Sequence, residues 1–170
     1  SARPSYPEAT WQALRQRAGL RPGVDILEIG AGTGLATRLL LAHRPSRVVA
    51  VEPDGRLAGY LRAALADHNL TVVAEPFETA ELHGASFDLV ACATAFHWLD
   101  PVPALTRVRT LLRPGGHVAL WWNVFGEPGR ADAFHDATAQ LFTGHPTSPS
   151  GGGTVELPFG LDMEARLADF

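Results

Sequence analysis

The sequence predicts an α/β fold: a doubly wound, mainly parallel sheet with helices on both faces. Three observations point there. Short apolar runs alternate with stretches of helical periodicity along most of the chain. A glycine-rich bend, Gly30-Ala31-Gly32-Thr33-Gly34, joins the first apolar run to the next helical stretch. The run Phe87-Asp88-Leu89-Val90-Ala91-Cys92-Ala93 is rich in Val, Leu and Ala, as suits a strand covered on both faces.

The elements follow in order. Residues 8–18 read as a helix with Pro7 near its start and Trp11, Leu14 and Ala18 on one face; Gly19 and Pro22-Gly23 stop it. The first strand is 24–29. The helix after the glycines runs to about residue 42, with Leu35, Leu39 and Leu40 turned inward, and Pro45 ends it. A second strand, 48–52, leads into a helix over 54–67 that carries Leu57, Leu61 and Leu65. Strands at 71–74, 87–93 and 118–122 and a helix at 103–112 complete the alternation. Parallel strands joined this way call for right-handed crossovers, and a ligand sits outside the carboxyl ends of the strands. Those ends are 28–30, 52, 74–78, 93–98 and 122–123.

Composition narrows the function classes. At 170 residues the chain is most simply one domain, and a hydrophobic fraction of 46% supplies a full core. Net charge is −4 with no Lys/Arg-rich run, so the electrostatic footprint of a nucleic-acid binder is missing. No run of about 18 apolar residues predicts a membrane span, and no basic start with an apolar stretch predicts a secretory signal. The single Cys92 excludes an internal disulfide and fits a cytoplasmic protein. No metal site is expected, because the histidines are scattered and there is no Cys cluster or His-x-x-x-His spacing. A G-x-S-x-G elbow and a G-x-x-x-x-G-K-[ST] loop are absent as well.

Gly30, Gly32 and Gly34 form G-x-G-x-G. Glycine accepts positive φ and lets a ligand approach the backbone closely. The nicotinamide-type fingerprint, G-x-G-x-x-G, seats a pyrophosphate on a helix N-terminus. Here the third glycine arrives one residue early and position 35 is Leu. Glu28, just before the bend, repels a pyrophosphate and favours a cationic ligand such as an ammonium or sulfonium. Glu52 ends the second apolar run 18 residues past Gly34, where an acid can accept hydrogen bonds from ribose hydroxyls. The plainer alternatives are a simple strand-turn-helix bend and a solvated strand-end carboxylate.

Leu27-Glu28-Ile29-Gly30-Ala31-Gly32-Thr33-Gly34, followed by Val48-Val49-Ala50-Val51-Glu52-Pro53-Asp54, resembles the first two signatures of class I S-adenosylmethionine-dependent methyltransferases. Ser86-Phe87-Asp88-Leu89-Val90 and Leu111-Leu112-Arg113-Pro114-Gly115-Gly116 are similar to later ones in order and spacing. Ala93-Thr94-Ala95-Phe96-His97-Trp98 and the lead-in Arg3-Pro4-Ser5-Tyr6-Pro7 resemble a small-molecule subgroup. The resemblance covers roughly residues 3–123. It implies a Rossmann-like fold, S-adenosylmethionine as cofactor and methyl transfer to a small-molecule acceptor. It also implies roles. Gly30, Ala31, Gly32 and Gly34 lay backbone against the cofactor, Glu28 neutralises its methionine end, and Glu52 holds the ribose. Pro53 packs on the adenine, and Phe77 marks the segment whose backbone meets the adenine edge, with ordinary core as its alternative. Ala93 offers a carbonyl near the methionine amine. Tyr6 closes over the methionine carboxylate, or packs as a capping aromatic at the helix start.

Methyl transfer from a sulfonium asks mainly for alignment. A base is needed only if the acceptor must lose a proton; His97 is the candidate, the alternative being a histidine that orders the loop beside Trp98. Successive strand residues face opposite sides, so at most one of Trp121 and Trp122 faces a cleft. Residues 1–142 are expected to form the cofactor-binding methyltransferase domain, and 143–170 a flexible loop and short terminal helix, a truncated continuation of it. The antiparallel edge hairpin usual in the family is missing there, which leaves the fifth strand an apolar exposed edge. That implies a fragment, a shortened chain, or a homo-oligomer covering the edge. Two other readings stay open: an NAD(P)-dependent oxidoreductase on a related fold, and a non-catalytic domain that binds S-adenosylmethionine.

Overall fold

The computed structural model describes residues 5–66 and 69–123, with Ala133 and Ala137 as isolated helical positions. Its elements are α1 (Glu8–Arg17), β1 (Asp25–Ile29), α2 (Leu35–Ala42), β2 (Arg47–Val51), α3 (Gly55–Ala64), β3 (Leu70–Val73), β4 (Phe87–Ala93), a short 3-10 turn (Phe96–Trp98), α4 (Pro101–Leu111) and β5 (Leu112–Trp121). The strand order is β3-β2-β1-β4-β5 with every described pair parallel. This is a Rossmann-like, doubly wound order, and its switch point lies between β1 and β4, the neighbours on either side of which run outward in opposite directions.

Alternation along the strands feeds two cores. β1 turns Ile26 to one face and Leu27 and Ile29 to the other; β4 turns Leu89 and Ala91 to the first and Val90 and Cys92 to the second. On the first face, Trp11 and Leu14 of α1 and Ala36 and Leu40 of α2 cover the sheet. Leu61 of α3 and Leu65 just past it pack with Ala50 of β2. On the second face, Ala104, Val108 and Leu111 of α4 are joined by Phe77 and Ala80 from the β3–β4 connection. Fully burying each Val, Leu or Phe contributes about 1.5–3 kcal/mol against the entropy of folding.

Leu35, Leu39 and Leu40 pack toward the first core as expected, Leu40 fully buried and the other two half-buried, and Ala36 and Thr37 are buried beside them. The small side chains let the start of α2 lie close to the sheet. β5 begins earlier than residue 118, because Leu112 already pairs with Phe87. A bulge follows: Leu112 to His117 on β5 faces only Phe87 to Leu89 on β4.

The amino ends of the strands are held by ion pairs. Arg113 reaches Asp25 at 2.7 Å and Asp88 at 2.8 Å, Arg47 meets Asp25 at 3.4 Å, and the Asp25 N–H donates to Asp88 Oδ2 at 2.8 Å. Among the described residues β5 is a sheet edge, with Val118 exposed. The loop, terminal helix and missing hairpin expected for 143–170 lie outside the described residues. No described helix is long and apolar enough to cross a membrane.

Candidate functional site

The bend after β1 is built from backbone. Gly30 and Ala31 both donate their N–H to the Val51 carbonyl, at 2.9 and 3.2 Å, which swings the chain across the end of β2. Gly30 has φ 71°, and a Cβ there would stand 2.4 Å from Ala95 Cβ. Gly34 starts α2 at φ 83°, and its Cβ would stand 2.4 Å from Leu61 Cδ1. An L side chain costs about 1–2 kcal/mol in this conformation before any clash is counted. Gly32 donates to Glu52 Oε2 at 2.7 Å, and Asp54 N–H donates to Oε1 at 3.0 Å. Glu52, nearly buried, thus clasps the bend to the start of α3.

A cavity of ≈ 290 Å³ opens beside this bend at the carboxyl ends of β1 and β4. Six of the sequence-predicted residues line it: Tyr6, Glu28, Gly30, Ala31, Gly32 and Ala93. Five more belong to its wall without having been singled out: Thr33, Leu35, Ala36, Leu57 and Thr94. Gly34 and Glu52 hold the bend from outside the lining, and Pro53 is exposed after β2. Phe77 does not line the cavity, and its side chain packs in the core, the alternative given for it above. It is 2% exposed on the second face of the sheet, with the Arg107 guanidinium 5.4 Å from its ring centroid.

Glu28 sits in the central strand, between Ala50 of β2 and Ala91 of β4, and is 1% exposed. Its Oε2 has no hydrogen-bond partner. Burial pushes its carboxyl up to about 7; Thr37 beside it works the other way, and the Glu52 charge adds to the rise. Thr37 Oγ1 is near enough to favour the charged form, yet it makes no well-formed hydrogen bond. Cys92 is no competing nucleophile, since burial pushes its thiol up to about 12.

The rest of the wall is tied by aromatic and hydroxyl contacts. Tyr6 packs edge-on against Trp11 and Trp121, with centroids 6.3 and 5.7 Å away, and its hydroxyl lies 3.2 Å from Thr94 Oγ1. Thr94 has φ 55°, a strained conformation for a β-branched residue that costs on the order of 1–3 kcal/mol. Trp121 and Trp122 face opposite sides, Trp121 with Tyr6 and Trp122 toward the second core. Trp122 Nε1 donates to His97 Nδ1 at 3.3 Å. An indole N–H only donates, so Nδ1 is the accepting nitrogen and a neutral His97 carries its proton on Nε2. His97 follows β4 in the 3-10 turn and does not line the cavity.

Known proteins resemble this chain in sequence and in fold. The sequence profile of the methyltransferase domain family matches residues 27–120. An uncharacterised methyltransferase of Mycobacterium tuberculosis is 40% identical over 126 residues, which is 74% of this chain and 49% of that protein. One of Schizosaccharomyces pombe is 32% identical over 127 residues, 73% of this chain and 49% of that protein. The crystal structure of an S-adenosylmethionine-dependent methyltransferase from Mesorhizobium loti aligns with a TM-score of 0.58 at 31% identity, covering 66% of this chain and 52% of that one. The chain spans about half the length of the curated relatives it matches.

Proposed function

This chain belongs to the methyltransferase domain family, and we propose that it binds S-adenosylmethionine at the Gly30–Gly34 bend and passes the methyl group to a small-molecule acceptor. One observation carries the proposal. Glu28 lines the cavity, is buried in the central strand, and leaves Oε2 without a partner. A buried carboxylate with an unanswered oxygen favours a cation, and the proposed cofactor carries an ammonium and a sulfonium.

The other residues suit the same ligand. The bend presents backbone that a ligand can approach closely. Glu52, already oriented by the Gly32 and Asp54 N–H groups, keeps lone pairs for a pair of ribose hydroxyls. Ala93 offers its carbonyl on the methionine side, and Tyr6, Leu35 and Leu57 add apolar surface to the cavity wall. When bound, the cofactor supplies a methyl already activated on positively charged sulfur. The chain's own contribution is alignment. His97 takes up a proton at Nδ1 only by surrendering its Trp122 bond, so acceptors whose nucleophile is already unprotonated suit the site best.

Calorimetric titration with adenosylhomocysteine and with NAD tests the reading. Adenosylhomocysteine is expected to bind and NAD not to. Glu52→Ala is expected to lose on the order of 1–3 kcal/mol of that affinity. Preference for NAD would overturn the cofactor assignment, and unchanged binding in Glu52→Ala would remove that residue from the site. Cofactor binding with no labelled methyl reaching any acceptor in a broad screen would turn the reading toward a non-catalytic domain.

A further inference from the structure

We propose that Thr94 is a positioning residue whose hydroxyl fastens Tyr6 to the carboxyl end of β4 and so sets one wall of the cavity. The inference rests on the cofactor reading above. Thr94 joins three distant parts of the chain. Its N–H donates to the Trp121 carbonyl at 2.8 Å, its Oγ1 accepts from the Asn123 N–H at 3.3 Å, and the same Oγ1 lies 3.2 Å from the Tyr6 hydroxyl. Tyr6 lies upstream of α1, Thr94 just past β4, and Asn123 just past β5. Tyr6 and Thr94 both line the cavity.

The backbone adds a second, independent observation. Left-handed φ suits Gly, Asn or Asp, and a β-branched residue persists there only where its surroundings over-determine it. At φ 55° Thr94 brings a hydroxyl to a position where Gly would be the relaxed choice. That hydroxyl is the feature its contacts use. The Tyr6 ring, seated against Trp11 and Trp121, gets its orientation from packing, and its tip is tied to Thr94.

Adenosylhomocysteine affinity of the full chain, with thermal melting in parallel, tests this. Thr94→Val keeps the branched shape and the strain but puts a methyl in place of the hydroxyl, so it loses the contacts of Oγ1 with both Tyr6 and Asn123. It is expected to weaken binding roughly three- to tenfold, the range for losing the Tyr6 tie. Thr94→Ser keeps the hydroxyl and is expected to stay within about twofold of the parent chain. Tyr6→Phe removes the bond from the other side. The Thr94→Val/Tyr6→Phe double variant should bind no more weakly than the worse single one, because both delete the same contact. Thr94→Val binding as the parent does, even with a lowered Tm, would overturn the proposal, as would fully multiplicative losses in the double variant. Should Thr94→Val fail to fold, Tyr6→Phe at parental affinity overturns it equally. A parent chain that does not bind adenosylhomocysteine sinks the cofactor reading and this inference together. A parent that binds beside an unaffected Thr94→Val removes Thr94 alone.

Discussion

β1 carries two acids, Asp25 and Glu28, and the two ends of the sheet treat them in opposite ways. At the amino end Asp25 meets Arg113 and Arg47, and its neighbour Asp88 meets Arg113 and a backbone N–H. At the carboxyl end Glu28 is more deeply buried and leaves an oxygen unanswered. Identical chemistry on one strand therefore serves two purposes. Paired carboxylates tie the strands together, while the other, under the function proposed above, would receive a cation from outside. Backbone strain does not follow this division: the tight Gly30 bend and the left-handed Thr94 border the cavity, but Arg44 and Ala85, also left-handed, lie just before β2 and β4.

Substitutions at the two ends should separate these purposes. The largest effect is expected at the bend. Gly30→Ala combines a left-handed alanine with a Cβ 2.4 Å from that of Ala95, and is expected to cost about 3–4 kcal/mol in urea unfolding. A loss under about 1 kcal/mol, the least that backbone conformation alone should cost, would mean the carboxyl end is not strained.

Glu28→Gln comes next. Cofactor affinity should fall by about 2 kcal/mol with loss of the charge. Stability should move the other way. Burial raises the Glu28 carboxyl from its ordinary 4.5 to about 7, so between those values the folded chain holds a proton that the unfolded chain releases. The stability this contributes is complete below about pH 4.5 and is lost as pH rises through 7. Gln does not titrate, so melts from pH 4 to 8 should show the variant gaining on the parent as pH rises. A constant gap would remove the buried, unpaired carboxylate from the comparison.

Asp88→Asn is expected to have the smallest effect and the opposite sign. Burial works against the Asp88 charge, but the Asp25 N–H and the Arg113 guanidinium outweigh it and hold the carboxyl below its ordinary range. Its contribution is present above the unfolded value and is lost as pH falls through the lower folded one. Asn should cost about 1 kcal/mol near neutrality, kept small by partial exposure, and the gap to the parent should close in acid. A gap that widens in acid would show that the amino-end pairs do not stabilise the fold.

Much of this was legible in the sequence because it is local. Short continuous apolar runs place the strands, and the glycines with Glu28 and Glu52 mark the bend, since strand, turn and acid are adjacent in the chain. The opposite facing of Trp121 and Trp122 follows from strand geometry alone. What escaped depends on long-range meetings. Nothing in the type of Thr94 announces a left-handed φ, and its partner Tyr6 lies on another segment that folds back beside it. Leu57 reaches the cavity from α3, a helix whose pattern shows only which face turns to the sheet. Phe77 sits near a strand end, as a ligand contact would. Its side chain instead packs on the second sheet face beneath Arg107, a placement that residue type and position do not reveal.

The irregular start of β5 has a consequence for any strand added beside it. With Leu112 to His117 looped against only two steps of β4, β5, the outer strand among the described residues, is regular only in its later half. A strand added along the described part of β5 would therefore find a regular ladder only over its later half.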